Sequence, residues 1–540
     1  MYTSDMMESI KKVEASRDSR MALNPERMSA SEKEDLLRSY HPDFKPEKFA
    51  TLKVGANKGE KVPTELAALL EGRSRVLDLD INLSNIDYDV DVLVIGGGGA
   101  GASAAIEAHK AGANVMIATK LRLGDANSMM AEGGIQAADK DNDSPAQHYL
   151  DAFGGGHYAA QSDLLKKLVN EGPGAIKWLS DLGVMFDKEA DGTMITTHGG
   201  GTSRKRMHAC ADYTGAEIMR TLRDEVFNLG IEVVDFTAAI ELVLDDGGKA
   251  AGAVLLNMET GEVLVARAKA VIIATGGAGR LHYQGFPTSN HYGATADGLI
   301  LAYRVGAPLL FPDTLQYHPT GAAFPSQIFG CLVTEKVRAL GAILANSEGD
   351  AFVHPLETRD VVAAAIIREC SSRSGGVATM DGGLAVWLDT PVIEILKGSG
   401  TIEKSIPAMF RMFMNYEIDM RVNPIAVYPT LHYQNGGIKI NIDGQSCVEN
   451  LFVAGEAVGG IHGRNRLMGN SLLDIIVFGR LAGQRASAVC VKPCVDSCAV
   501  PDRRKLSVDH VLRFDDELRV AGVDSGLESP LLLPSYGGSR

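Results

Sequence analysis

Residues 461–474 read IHGRNRLMGNSLLD and place His462, Arg464 and Arg466 within five residues. The flanking runs, LFVAGEAVGG and IIVFGRLAG, are apolar and Gly-rich. Such neighbours predict burial, and buried charge is costly unless a partner offsets it. An anion is therefore expected at this stretch, and arginine can grip a carboxylate with two parallel hydrogen bonds. Further donors recur along the chain. His318 lies in QYHPTG, Thr334, Glu335 and Arg338 in VTEKVR, Arg359 in TRDVV, and His432 in PTLHYQNGG. A histidine in an apolar run usually donates to a carbonyl. These two lie beside prolines or a glycine pair, which suits a site on strand ends. By residue type Arg359 reads as a second carboxylate clamp, because a guanidinium with a pKa above about 12 is a poor acid.

A second constellation is Gly96-x-Gly98-x-x-Gly101, which follows the run YDVDVLVI and opens a helical stretch. The first glycine permits a tight turn, the second lets backbone approach a pyrophosphate, and the third lets helix and strand close up. The helix N-terminus then faces the phosphates, with Gly99 and Ala100 of the turn as further cofactor contacts. An acid normally ends the second strand and accepts from a ribose hydroxyl. Thr119-Lys120 stands there instead, so Thr119 is expected to serve. Glu456 in VAGE and Asp297 in ATADG are candidate acids for another hydroxyl, each equally readable as a surface or capping residue.

These residues need a scaffold. The 540 residues are too many for one compact core. Hydrophobic content of 45% and charged content of 22% belong to a globular chain. The net charge of −15 disfavours nucleic acid and anionic membrane surfaces. Seven cysteines without framework spacing suggest a reducing, cytoplasmic setting. No signal-peptide pattern and no 18-residue apolar run are visible. From residue 88 a strand, Gly turn, helix and strand follow in order. Apolar strands ending in glycine recur at 270–277 and 450–456. The expected class is therefore α/β: a Rossmann-like domain built from 86–311 and 435–490 around one parallel sheet, interrupted by an inserted α+β segment at 312–434. An N-terminal extension (1–85) reads either as an arm on the body or a partner, or as a partly disordered tail. The C-terminal region (491–540) is polar and expected to be peripheral.

The motifs VIGGGGAG, MAEGGIQAA, ADYTG, ATGGAG, QYHPTG, VTEKVR, TRDVV, PTLHYQNGG, FVAGEAVGG and HGRNRLMGNSLLD occur in that order across residues 88–490. In this the chain resembles the flavoprotein subunits of succinate dehydrogenase and fumarate reductase, and the related L-aspartate oxidase. The resemblance implies FAD in the dinucleotide site and a capping domain hinged over it. It implies that Asn127, Ser128, Gly133, Gly134, Ala274, Thr275, Gly276, Asn470, Ser471 and Leu472 line the FAD site, together with Lys120. It implies that His318, Thr334, His432 and Arg466 hold the carboxylates of fumarate or succinate, while hydride passes between flavin N5 and a C4 dicarboxylate. Arg359 resembles the residue that delivers a proton to carbon, reversing the clamp reading. Glu335 and Arg338 resemble the relay that recharges it.

Some features depart from the family. Asn127 stands where many members tether FAD through a histidine, so noncovalent FAD is expected. Losing the link is expected to lower the flavin potential and favour fumarate reduction. The loop AAFPSQIFGCL (322–332) has a length nearer that of L-aspartate oxidase. That oxidase, or a reductase of another unsaturated acid, is the alternative; a non-catalytic flavin scaffold is a third reading. Arg464 receives no catalytic role. The chain carries no haem CxxCH and no ferredoxin cysteine run, so a separate iron–sulfur or other electron-donor subunit is expected, with any membrane association made through it. Cys490, Cys494 and Cys498 read as incidental or as a metal, thiol or partner site.

Overall fold

The computed structural model describes residues 2–23, 26–380, 383–490 and 504–534. Its largest element is an eight-stranded sheet. Tyr88–Ile95 pairs in parallel with Val115–Ala118 on one side and with Val263–Ile273 on the other, and Leu451–Val453 pairs in parallel with the far side of Val263–Ile273. Ile95, Ile273 and Val453 share one register. The three Gly-rich turns that follow them therefore sit side by side, as expected. The sheet is mixed, however, since Thr237–Asp245, Ala250–Asn257 and Val263–Ile273 form an antiparallel meander. Their alternation was hidden because Thr237–Asp245 is buried along its whole length, on both faces, so its apolar residues fall on adjacent positions around Glu241. Helix Gly99–Lys110 packs on the sheet and against the long helix Asn470–Cys490.

The segment after residue 312 builds a separate five-stranded antiparallel sheet. Leu315–Ala322 pairs with Ile425–Gln434, so its two ends return to the same place beside the main sheet. Helix Arg359–Ser371 packs across that pair. Trp387, Leu388, Val386, Ile366 and Phe413 are buried in a second apolar cluster there.

Both chain ends are more integrated than their composition suggests. Helix Ser4–Ala15 buries Met6, Ile10 and Val13 in the second cluster, and helix Ala30–Tyr40 adds Leu36 and Leu37. The latter opens on a capping box between Ser29 and Glu32. Helix Thr64–Leu70 instead joins the first cluster. At the other end, Leu506–Ser507 extends the main sheet and Asp509–Val520 buries Val511, Phe514 and Leu518. This region is therefore not merely peripheral, because a narrow apolar stripe on an otherwise charged helix is enough to dock it. Cys490 is half-buried, its Sγ 3.2 Å from the Asp91 carbonyl; Cys494 and Cys498 lie outside the described residues.

Candidate active site

One cavity of about 650 Å³ runs from the Gly turns of the main sheet to the antiparallel pair of the second. At its nucleotide end the turn closes as the motif requires. Gly96 has φ 120°, and a Cβ there would sit 2.3 Å from the Ala274 carbonyl oxygen. A Cβ on Gly101 would stand 1.9 Å from the Gly96 carbonyl oxygen. Gly101 therefore does not line the cavity; it lets the helix approach the turn. Gly96, Gly98, Gly99 and Ala100 do line it, with the helix N-terminus facing inward.

Thr119 and Lys120 line the same end. Lys120 Nζ donates to Asp297 (2.6 Å) and Thr295 (2.7 Å), which makes Asp297 an ion-pair partner as well as a wall residue. Ser128, Gly133, Gly134, Ala274, Thr275, Gly276, Ser471 and Leu472 also line the cavity. Glu456 lies where the three turns meet, accepting from Gln434 N (3.0 Å) and Asn127 Nδ2 (3.3 Å). Burial raises its carboxyl above the ordinary range. Asn127 also donates to Asn290 (2.7 Å) and accepts from His291 N (2.7 Å). Asn470 is a correction to the expected lining. It lies behind the wall, its Oδ1 2.9 Å from His148 Nε2, because it starts a buried helix turn.

The other end gathers the cationic groups. His318 and His432 come from paired strands, within the strands rather than at their ends, beside a register shift at Gln316/Tyr317. Such shifts re-aim side chains. The two rings lie 5.2 Å apart. Burial, then the nearby Arg359, hold both imidazoles well below their ordinary pKa, so they are neutral near pH 7. His432 Nδ1 is 2.7 Å from Ser289 Oγ. Thr334 closes the wall beside them.

Gln316, absent from the expected site residues, organises the arginines. Its Oε1 accepts from Arg359 Nη1 and Arg466 Nη2, both at 3.0 Å. Its Nε2 is fixed by Asn465 Oδ1 (3.0 Å) and the Arg466 carbonyl (2.7 Å). The signal was present in QYHPTG, as an amide on a strand buried along its whole length, but an amide carries no charge to draw notice. Arg359 Nε donates to Glu335 Oε2 (2.9 Å), and Gly200 N donates to Glu335 Oε1 (2.5 Å). Burial would raise the Glu335 carboxyl, but Arg359 and Arg338 outweigh it and hold it below the ordinary range. Arg338 does not reach the cavity. It stands behind Glu335 at 3.5 Å and donates to the Pro355 carbonyl.

The three basic residues of 461–474 separate cleanly. His462 pairs with Asp474 (3.2 Å) and Arg464 with Asp313 (2.5 Å). Among the described residues Arg466 has no carboxylate partner. Its Nε is buried without a hydrogen bond, and the guanidinium lies 4.3 Å over the Tyr433 ring. Burial, then Arg359, lower its pKa to about 9. The cavity thus presents an unneutralised guanidinium, two neutral imidazoles and a hydroxyl.

The sequence signature of the FAD binding domain matches residues 91–472. The chain belongs to the FAD-binding family of fumarate reductase and succinate dehydrogenase flavoproteins. One subunit of the fumarate reductase (CoM/CoB) of Methanothermobacter marburgensis is 38% identical, the match covering 66% of this chain and 65% of that protein. L-aspartate oxidase of Streptomyces coelicolor is 34% identical over 71% of this chain and 66% of its own length. The chain thus spans about two thirds of these curated relatives. The FrdA chain of E. coli quinol fumarate reductase superposes with a TM-score of 0.70 at 29% identity, covering 80% of this chain and 74% of that one. FAD is the cofactor of this family, and the cradle fits it: a Gly turn that no Cβ could enter, a helix N-terminus for phosphates and Glu456 among the turns. Among the described residues no helix is long and apolar enough to cross a membrane.

Proposed function

We propose that this chain is an FAD-dependent oxidoreductase of C4 dicarboxylates, acting as a fumarate reductase with succinate oxidation as the reverse reaction. The observation that carries the reading is the pair Arg359–Arg466 on one Gln316 oxygen, of which only Arg359 is neutralised by a protein carboxylate. A small diacid completes such a site. Arg466 grips one carboxylate, while His318, His432 and Thr334 donate to the two ends. Charge-assisted bonds of this kind contribute about 1.5–3 kcal/mol each. Holding one carboxylate twisted out of conjugation leaves the double bond electron-poor. FAD, when bound, supplies the two-electron donor or acceptor. Arg359 gives its proton to the substrate carbon, and Glu335, itself ionised, takes a proton from Arg338 behind it and passes it to Arg359. An isolated guanidinium is too weak an acid for this; the buried carboxylate at 2.9 Å makes a concerted transfer feasible.

The 312–434 segment serves as the cap over this pocket. FAD is held without a covalent link, since the Asn127 amide is not a nucleophile and is occupied by Asn290 and His291. An iron–sulfur or other donor subunit delivers electrons. L-aspartate oxidation is the second reading, favoured by the Streptomyces relative and the 322–332 loop. One assay separates them. FAD-loaded protein reduced with a viologen dye should reoxidise on addition of fumarate. Peroxide from L-aspartate and oxygen would instead establish the second reading, and neither signal would remove both.

A further inference from the structure

The N-terminal arm reaches the site from outside. Helix Ala30–Tyr40 packs against helix Arg359–Ser371, which begins at the residue assigned the proton. Leu36 and Leu37 share an apolar cluster with Val361 and Val362. Just before that helix, Glu357 is 1% exposed, and Lys33 Nζ of the arm lies 2.9 Å from its Oε2. Arg27, also of the arm, stands at 3.8 Å. On the opposite side Asp360 is held by His157 (2.7 Å) and Asn465 (3.2 Å). The first turn carrying Arg359 is therefore clamped between the arm and the body.

We infer that the arm is a positioning element for the proposed reaction: the Lys33–Glu357 ion pair fixes the turn that presents Arg359 to Glu335 and Gln316. Burial makes the pair effective. A carboxylate as enclosed as Glu357, whose oxygens accept no hydrogen bond, is disfavoured when Lys33 is removed and only the more distant Arg27 at 3.8 Å remains, so the turn must rearrange to solvate it. A displacement of about 1 Å at a reacting group is enough to cost much of the rate. The matched family signature covers residues 91–472, so Lys33 lies outside it while its partner Glu357 lies inside.

The inference rests on the role proposed for Arg359, and the test keeps the two apart. FAD-loaded full-length Lys33→Ala, Lys33→Arg, Glu357→Gln and Lys33→Ala/Glu357→Gln variants are compared with the parent by hydrogen–deuterium exchange across residues 357–363 and by fumarate kinetics. Lys12→Ala, which breaks an exposed arm pair with Glu348, is the control. Lys33→Ala should speed exchange there at least fivefold and lower kcat about tenfold with little change in KM. Lys33→Arg should retain both parent values, and the double variant should recover most of the exchange protection because no buried charge is left unpaired. Parent-like exchange in Lys33→Ala, an equal effect of Lys12→Ala, or faster exchange with unchanged kcat would overturn the inference. A parent protein inactive on fumarate would remove the proposed reaction, while the exchange comparison still decides whether the arm fixes the turn.

Discussion

At the residue scale, the site depends on how each buried charge is matched. Arg359 is matched by Glu335, whereas Arg466 is left for a ligand. The two should therefore fail differently. Arg359→Lys keeps a cation but loses the planar fork that meets Glu335 and Gln316 together. Its kcat for fumarate should fall about 10²–10⁴-fold, the span of a lost general acid, with FAD retained. Near-parental turnover would remove the proton assignment. Arg466→Gln should instead raise the KM for fumarate at least about tenfold, because charge-assisted bonds to substrate are lost. Steady-state titration of fumarate measures this, and an unchanged KM would show that the carboxylate sits elsewhere.

At the element scale, three parallel strands ending in one register place three glycine turns around a common point. The helix that follows the first turn must come within touching distance of it. Gly101→Val should abolish this approach, since even a Cβ lies 1.9 Å from the Gly96 carbonyl oxygen. The purified variant should lose its flavin absorbance relative to protein absorbance; full retention would refute the close packing. The cap of helix Ala30–Tyr40 shows a limit of local reading. Ser29 and Ser31 both precede an acid at the right spacing, and the helix opens at Ser29.

At the scale of the whole molecule, the N-terminal arm joins both apolar clusters and the C-terminal helix adds to the first. Such burial places histidines where they cannot easily be charged. His41 and His148 are buried, and burial pushes each pKa down to about 4. In the unfolded chain each titrates near 6.5. Between those values the unfolded state binds protons that the native state does not, so stability falls as pH drops from about 6.5 to about 4. Each contributes up to about 3 kcal/mol to that fall. Denaturant melts at several pH values should show it, and His41→Gln should reduce the slope within that window. An unaltered slope would mean that His41 is protonated in the native state.

Much of the site was legible in the chain because its chemistry is carried by unusual residues in apolar surroundings. His318, Thr334, Glu335, Arg359, His432 and Arg466 all line one cavity, and the glycine spacing specified a phosphate-facing turn. Those signals are local: a charge among apolar neighbours, or a glycine where no side chain fits. What needed the tertiary structure was pairing between distant segments. That His462 and Arg464 are satisfied by Asp474 and Asp313 while Arg466 is not depends on strands and loops far apart in sequence. So does the junction at Gln316, a neutral side chain whose importance lies wholly in the two arginines that meet on its oxygen. Composition records which charges a chain owns, but only folding decides which of them remain without a partner.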